Sequence, residues 1–115
     1  MVTGSSEKDS RIQKVVRALT QDPTHTLPEL ANTCQISRSR LSHLFKNEIG
    51  IGVGHYCMDC RLRMAAVMLI SSDLPIKGIA CATGYRHSSS FVRAFNAHFG
   101  LSPASYRKKR MKEAA

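Results

Sequence analysis

Apolar residues recur along this chain at spacings of three and four, which is the period of an amphipathic helix. In the first such segment, four apolar residues share one helical face: Ile12, Val15, Val16 and Leu19. This spacing predicts a helix over residues 10–21. We expect the helix to end at Asp22-Pro23, because the residue before a proline disfavours helical backbone.

Two shorter helices are predicted next, with a tight turn around Gln35 between them. Thr26-Leu-Pro-Glu29 has the spacing of a capping box with a proline in the first turn. Ser37 is a suitable N-cap for the second of these helices, and Gly50 is a suitable C-terminal stop. The residues expected to face inward are Leu27, Leu30, Ala31, Cys34, Leu41, Leu44, Phe45 and Ile49. A short helix, a tight turn and a second helix together indicate a helix-turn-helix unit.

A longer helix is predicted over residues 53–71, and the segment from Ser71 to Pro75 is expected to end it. Alternating spacings of three and four define its expected inner stripe: Val53, Cys57, Cys60, Met64 and Val67. The regular spacing of its apolar residues favours a helix over a loop. The segment lies between two similar halves of the chain.

The short-helix pattern then recurs, with helices expected to end at Gly84 and Gly100. Its inward positions are Ile76, Ile79, Ala80, Phe91, Ala94, Phe95 and Phe99. His87-Ser88 is expected to begin the second helix of this pair. A last helix is expected to begin at Ser102-Pro103 and to continue into the basic run Arg107 to Lys112.

The two halves resemble each other position by position, which is the signature of an internal repeat. At an offset of 49, Leu30-Ala31 matches Ile79-Ala80 and Ile36 matches Tyr85. At an offset of 50, Phe45, Gly50, Ile51 and Tyr56 match Phe95, Gly100, Leu101 and Tyr106. Chance similarity between two amphipathic helix pairs is the alternative, but the shared Gly-apolar-x4-Tyr pattern favours a common fold.

These elements predict an all-α fold of about seven helices, in which a long central helix joins two helix-turn-helix subdomains. We expect a flexible lead-in or linker over residues 1–9 and a first subdomain over residues 10–51. The connecting helix is expected over residues 52–72, and the second subdomain, with a basic C-terminal helix, over residues 73–112.

Positive charge is concentrated after the first helices. The chain has a formal net charge of +9, and 13 of its 17 Lys and Arg residues lie between Arg38 and Lys112, against three acidic residues there. Such a surplus predicts attraction to a polyanion. A solvated basic surface is the alternative, and composition does not separate the two.

Several other classes of protein fit the sequence poorly. The polar N-terminus lacks the apolar core of a signal peptide, and the longest apolar run, Met64 to Ile70, is too short to span a bilayer, so we expect a soluble cytoplasmic protein without a membrane partner. No nucleophile–base spacing, phosphate-binding glycine loop or paired-carboxylate motif is present. We therefore expect neither an enzyme nor a bound cofactor.

A metal or redox sensor is the more serious alternative. Cys57-Met-Asp-Cys60 has CxxC spacing, with His55 beside it, but it lies within a predicted helix and has no second ligand pair. Because structural zinc sites take four ligands, we expect no metal site. All four cysteines are instead expected to be reduced, apolar-face residues: Cys34, Cys57, Cys60 and Cys81.

A protein-interaction bundle is a third interpretation, which a lack of salt-sensitive DNA binding would favour.

Two stretches of the chain resemble the DNA-binding domain of the AraC/XylS family of bacterial transcription regulators, over about Ile12 to Arg107. The first is Leu30-Ala31 with Ser37-Arg-Ser-Arg-Leu-Ser-His-Leu-Phe-Lys46, Gly50, Tyr56, Arg61-Leu62 and Ala65-Ala66. The second and more specific one is Ile76-Lys-Gly-Ile-Ala80, Thr83-Gly-Tyr85, Ser90-Phe-Val-Arg-Ala-Phe95, Phe99-Gly-Leu-Ser-Pro103 and Tyr106-Arg107.

The resemblance implies sequence-specific binding of double-stranded DNA, with one recognition helix in each of two successive major grooves. A central helix of about 19 residues spans about 28 Å, close to a DNA turn of about 34 Å. The resemblance also implies transcription activation, with RNA polymerase as a candidate partner. No small-molecule effector site is recognisable, and the sequence leaves open whether an effector or dimerisation domain accompanies this one.

The resemblance places base readout in the first unit at Ser39, Ser42 and His43. Serine side chains are short and make ambiguous hydrogen bonds. We therefore expect Arg40 and His43, which are longer, to make most of the contacts that extend to the bases. Lys46 is expected to contact phosphate. The alternative for His43 is a solvated surface histidine.

In the second unit, base readout is expected from Ser88, Ser89 and Arg93. Arg93 matches the family's frequent recognition-helix arginine, and an arginine can bind guanine O6 and N7 together. The alternative for Arg93 is a phosphate contact. Five further residues are candidates for phosphate contact: Arg61, Arg63, Arg86, Ser90 and Asn96. For Arg61 and Arg63 a solvated helix face is equally consistent with the charge pattern, and the run Arg107 to Lys112 is expected to act only through its charge.

Overall fold

The computed structural model describes residues 10–114, so the lead-in expected over residues 1–9 lies outside the described residues. This part of the chain holds seven helices and no strand. In chain order they are α1 (Ser10–Gln21), α2 (Leu27–Cys34), α3 (Arg38–Ile49), α4 (Val53–Ser71), α5 (Ile76–Ala82), α6 (Ser88–Phe99) and α7 (Pro103–Ala114). The all-α prediction is confirmed, and the bounds of α1 and α4 agree with those expected from hydrophobic spacing.

The described part of the chain divides between Met58 and Asp59 into two compact units, which we call the first and second units. In the first unit, α1, α2 and α3 contact one another and enclose a small apolar core. Its members are Ile12, Val15, Leu19, Leu30, Ala31, Leu41 and Phe45, none more than 3% exposed. The ring of Tyr56 meets the ring of Phe45 edge-on, with centroids 5.3 Å apart. This core buries one face of α3 and leaves the other face to solvent.

The start of α2 is determined by the expected capping box. The backbone N–H of Thr26 donates to Oε1 of Glu29 at 2.7 Å, and the backbone N–H of Glu29 donates to Oγ1 of Thr26 at 3.3 Å. The hydrogen bond that the backbone N–H of Thr26 donates to the carboxylate favours its charged form, so it lowers the pKa of Glu29 below its ordinary value. Ser37 caps α3 in the same way, since its Oγ accepts from the backbone N–H of Arg40 at 3.1 Å.

The second unit is built around α6, which packs against both α5 and α7. Phe91 and Phe95 of α6 are fully buried, as are Ile79 of α5 and Leu62 of α4. Thr83 is a fully buried polar residue, and its hydroxyl donates to the carbonyl oxygen of Ile79 at 2.8 Å. The polar group is therefore satisfied inside the core.

The repeat expected from the sequence is visible in the backbone. In the first turn the N–H of Ile36 donates to the carbonyl of Ala31 at 3.1 Å, and in the second turn the N–H of Tyr85 donates to the carbonyl of Ala80 at 2.9 Å. The residues just before these donors have left-handed backbone, Gln35 with φ 59° and Gly84 with φ 92°. The pair Phe95–Tyr106 repeats the 5.3 Å edge contact of the first unit.

Two sequence expectations about buried faces were wrong. Val67 was expected on the inner stripe of α4, but it is 64% exposed. The buried residues of this half of α4 are instead Leu62, Ala65, Ala66 and Leu69. The sequence analysis assumed one inner stripe along the whole of α4. The two ends of this helix instead belong to separate cores, and each core buries a different face of the helix.

Cys81 was expected at an apolar-face position, but it is exposed, because Ile79 and Ala80 already fill the buried side of the short α5.

Arg107 was expected to act only through its charge, and this too was wrong. Its guanidinium donates to three backbone carbonyl oxygens: those of Leu69 at 2.8 Å, Ser72 at 3.2 Å and Leu74 at 2.7 Å. The last carbonyls of a helix have no intrahelical donor, and Pro75, which follows, has no N–H to offer. Arg107 satisfies the carbonyl of Leu69 near the end of α4 and two carbonyls of the segment that follows, and it thereby ties α7 to this part of the chain.

Replacing Arg107 with Ala should lower the free energy of unfolding by about 2 kcal/mol, because hydrogen bonds to a charged group contribute about 1.5–3 kcal/mol. Urea denaturation followed by circular dichroism measures the change. Lys108→Ala is the matched control, since Lys108 is the exposed neighbour on α7 and should change stability by less than about 0.5 kcal/mol. Equal effects of the two substitutions would show that the carbonyl contacts contribute nothing.

Candidate nucleic-acid interface

The exposed face of α3 carries the candidates of the first unit. Ser39, Arg40, His43 and Lys46 are exposed, and Ser42 is half-buried. The opposite face is anchored in the core by Leu41 and Phe45, both fully buried. Because the core holds α3 by these residues, the polar face stays free to contact a partner.

His43 has a defined neighbour on this face. Its Nε2 lies 3.2 Å from Nδ2 of Asn47, one helical turn further along α3. The contact orients the imidazole along the helix surface, and the side chain remains exposed. The roles of His43 and its neighbours toward DNA stay predictions.

The exposed face of α6 carries the candidates of the second unit. Five of them are exposed: Ser88, Ser89, Ser90, Arg93 and Asn96. The buried side of the helix holds Phe91 and Phe95. At the offset of 50, Arg93 corresponds to His43, and Phe91 corresponds to Leu41. The two helices therefore present matched positions to solvent, although the residues there differ.

The remaining phosphate candidates lie outside the recognition helices. Arg86 is exposed in the turn before α6, and Arg61 is half-buried on α4. Arg63 is 74% exposed, and its Nε lies 3.0 Å from Oδ2 of Asp59. Oδ1 of the same carboxylate lies 2.6 Å from Nε2 of His98 on α6. An exposed ion pair contributes about 0–1 kcal/mol, so Arg63 can exchange Asp59 for another anion at low cost.

The cysteine motif has no metal-site geometry in the described part of the chain. Cys57 is buried and Cys60 is half-buried. Among residues 10–113, no group of three His, Cys, Asp or Glu side chains is arranged to hold a metal ion. Within the same residues, no helix combines the length and the apolar character needed to cross a membrane.

Residues 30–109 match a family model described as a helix-turn-helix domain. A putative AraC-like transcription regulator of Streptomyces antibioticus is 33% identical over 105 residues, which are 90% of this chain and 35% of that protein. The RCS-specific HTH-type transcriptional activator RclR of Escherichia coli is 33% identical over 101 residues, 86% of this chain and 36% of that protein. The chain thus spans about a third of the length of these two relatives.

Solved structures agree with this similarity. The C-terminal domain of AraT, a response regulator from Geobacillus stearothermophilus, has a TM-score of 0.81 and 29% identity, covering 90% of this chain and 88% of that one. The DNA-binding domain of AdpA, solved in complex with a target DNA, has a TM-score of 0.81 and 22% identity, covering 90% of this chain and 95% of that one. At that identity the second comparison shows a shared fold.

Proposed function

The chain belongs to the AraC-type helix-turn-helix family of transcription regulators, and from this premise we propose that it binds double-stranded DNA in a sequence-specific manner through α3 and α6. The family consists of regulators rather than enzymes. In the proposal, the second helix of each helix-turn-helix unit enters a major groove, where base edges can be distinguished.

One observation carries this proposal. In each unit the second helix of the helix-turn-helix buries its apolar face and exposes a face of short polar and basic residues. The exposed face holds Arg40, His43 and Lys46 on α3, and Arg93 on α6. A helix with this surface fits the width of the major groove, and its cations favour a phosphate-lined partner.

We propose that the two units occupy successive major grooves of one duplex. The internal repeat supports this proposal, because two units of one fold offer two recognition helices. Half-sites are then expected about 10–10.5 base pairs apart. Protection of a duplex from hydroxyl radicals tests the spacing, and a footprint confined to one half-site would contradict it.

We also propose that the protein acts as an activator in the bacterial cytoplasm, where the chromosome lies, with RNA polymerase as its protein partner. The name of the relative from Escherichia coli, a transcriptional activator, supports this part of the proposal. Transcription from a template that carries the selected site, with and without the protein, tests it. A lower transcript yield in the presence of the protein would instead indicate repression.

Arg93→Ala should change which sequence is selected from a random DNA pool. A bidentate contact between arginine and guanine is worth about 1–3 kcal/mol of discrimination, so the preference at one base pair should relax. Sequencing the bound fraction for both proteins measures the effect. Lys46→Ala is the matched control on the first unit, and it should lower affinity without altering the selected sequence. If Arg93→Ala instead lowers the affinity equally for every sequence and leaves the selected sequence unchanged, Arg93 contacts only phosphate.

A further inference from the structure

The second half of α4 carries apolar side chains on the side away from the core of the second unit. Val67 and Ile70 lie on adjacent turns of the helix and are 64% and 45% exposed. The opposite side of the same segment is buried through Leu62, Ala65 and Leu69. Single apolar residues are common on protein surfaces, but apolar side chains on adjacent turns form one patch, and such a patch indicates a site of interaction.

Leu74 continues this patch beyond the last residue of α4. Its side chain is 43% exposed. The guanidinium of Arg107 contacts the carbonyl oxygens of Leu69 and Leu74 at 2.8 and 2.7 Å, so the backbone of Leu74 stays beside the last turn of the helix. Val67, Ile70 and Leu74 together are called the α4 stripe below.

Opposite charges flank the α4 stripe. Arg63 lies one turn before Val67 and is 74% exposed. Asp73 lies three residues after Ile70 and is exposed as well. The order along the chain is therefore basic, apolar and acidic. This order is complementary to its own reverse, so the surface fits a second copy of itself that runs in the opposite direction.

The charges decide the direction in which two copies of α4 fit together. In an antiparallel arrangement, Val67 of one copy meets Ile70 of the other, and Arg63 meets the end of the helix where Asp73 lies. In a parallel arrangement, each charge would lie beside the same charge of the other copy. Like charges in contact cost free energy, whereas complementary charges fix the orientation of a complex. A two-fold axis between antiparallel helices forms every such contact twice.

We propose that the α4 stripe is the contact surface of a weak homodimer, in which α4 of a second copy of this chain packs antiparallel against it. The inference does not depend on DNA binding. The use of Arg63 to pair with Asp73 of the second copy is an alternative to the phosphate contact considered for it above. Two turns of a helix present less surface than the roughly 800 Å² per partner of a stable complex, so the dissociation constant should be about 0.1–1 mM.

The net charge of the protein predicts how salt changes this association. Two copies with a formal net charge of +9 repel each other, and the repulsion is screened as salt is added. The apolar contact itself is not weakened by salt. Self-association should therefore strengthen by about twofold or more between about 50 and about 300 mM salt. Duplex binding should change in the opposite direction, which distinguishes the two interactions.

Sedimentation velocity over a range of protein concentrations measures the association. The protein must be free of nucleic acid, and a reducing agent is needed because the exposed thiol of Cys81 can link two copies covalently. The sedimentation coefficient should rise with concentration and approach that of a dimer near about 1 mM protein. A coefficient that stays at the monomer value at this concentration would overturn the inference, and a partner of another kind would then have to cover the α4 stripe.

Val67→Glu should weaken the association by about tenfold or more, because it buries an unpaired charge in the contact. Val67→Gln should weaken it as well, without a change of charge. Both variants should keep the midpoint of urea denaturation nearly unchanged, since Val67 is exposed in the monomer. Gln13→Glu adds the same charge at an exposed position of α1 and is the matched control, which should associate like the unsubstituted protein. Equal effects of Val67→Glu and Gln13→Glu would overturn the inference.

Asp73→Lys tests the antiparallel pairing. It places a second cation beside Arg63 of the other copy, so association should weaken by about threefold to tenfold. Glu113→Lys changes the net charge by the same amount on the exposed surface of α7, and it should have a much smaller effect. Equal effects of the two substitutions would show that only net charge matters and would overturn the antiparallel arrangement.

These measurements separate the homodimer from the proposed function. Val67→Gln should bind a duplex with the same affinity as the unsubstituted protein while its self-association is weakened. If the unsubstituted protein associates with itself but binds no duplex, only the proposed function fails. If it binds duplex and stays monomeric at about 1 mM, only the homodimer is wrong.

Discussion

Raising the salt concentration from about 50 to about 200 mM should weaken the binding of duplex DNA by three to four orders of magnitude. About seven phosphate contacts give a log–log slope near −6, because each contact releases condensed counterions. The charge distribution supports an effect of this size. The chain has a formal net charge of +9, and 13 of its 17 Lys and Arg residues lie between Arg38 and Lys112.

Fluorescence anisotropy of a labelled duplex, repeated at five or more salt concentrations, measures the slope. A duplex without the selected site is the control, and it should show weak binding with a steep salt dependence, since backbone contacts dominate non-specific binding. Tight binding of the duplex with a log–log salt slope near zero would contradict the proposed phosphate contacts. Absence of any salt-sensitive DNA binding would instead favour a protein-interaction bundle.

Phe95→Ala should lower the free energy of unfolding by about 3–5 kcal/mol. The side chain is fully buried, and its ring lies against three others in the second unit. The centroid distances are 5.8 Å to Phe91, 4.5 Å to Phe99 and 5.3 Å to Tyr106. Removing the ring leaves a cavity between α6 and α7 and removes the support beneath the exposed face of α6.

Urea denaturation measures this loss, and Asn96→Ala is the matched control. Asn96 follows Phe95 on the same helix but is exposed, so its replacement should change stability by less than about 0.5 kcal/mol. Phe95→Leu should recover much of the lost stability, because it refills part of the cavity. DNA affinity of Phe95→Ala should recover on cooling or with an osmolyte if its effect on binding is indirect. A loss of stability below about 1 kcal/mol would show that α6 is not anchored through this ring.

Local signals in the sequence were sufficient for most of the secondary structure. The start of α2 was predicted from the spacing of Thr26 and Glu29, and the ends of α3 and α6 from Gly50 and Gly100. These features act within one turn of backbone, since a cap satisfies the adjacent N–H groups and a glycine permits positive φ. The repeat was visible for the same reason, because the matched residues specify local geometry.

The candidate site was predicted in part. Spacing along α3 and α6 identified which residues face solvent, and the structure leaves Arg40, His43 and Arg93 exposed as expected. Which of these residues read bases stays a prediction.

The sequence by itself determined where helices begin and end and which side of α2, α3 and α6 is apolar, because those properties depend on neighbours within a few residues. The tertiary structure decided matters that involve distant residues. It turned Val67 outward, left Cys81 exposed and brought Arg107 to the carbonyls of Leu69, Ser72 and Leu74. The physical reason is that periodicity shows only which side chains favour burial. The elements that pack against a helix decide which of these apolar side chains are buried and which polar groups a charged side chain contacts.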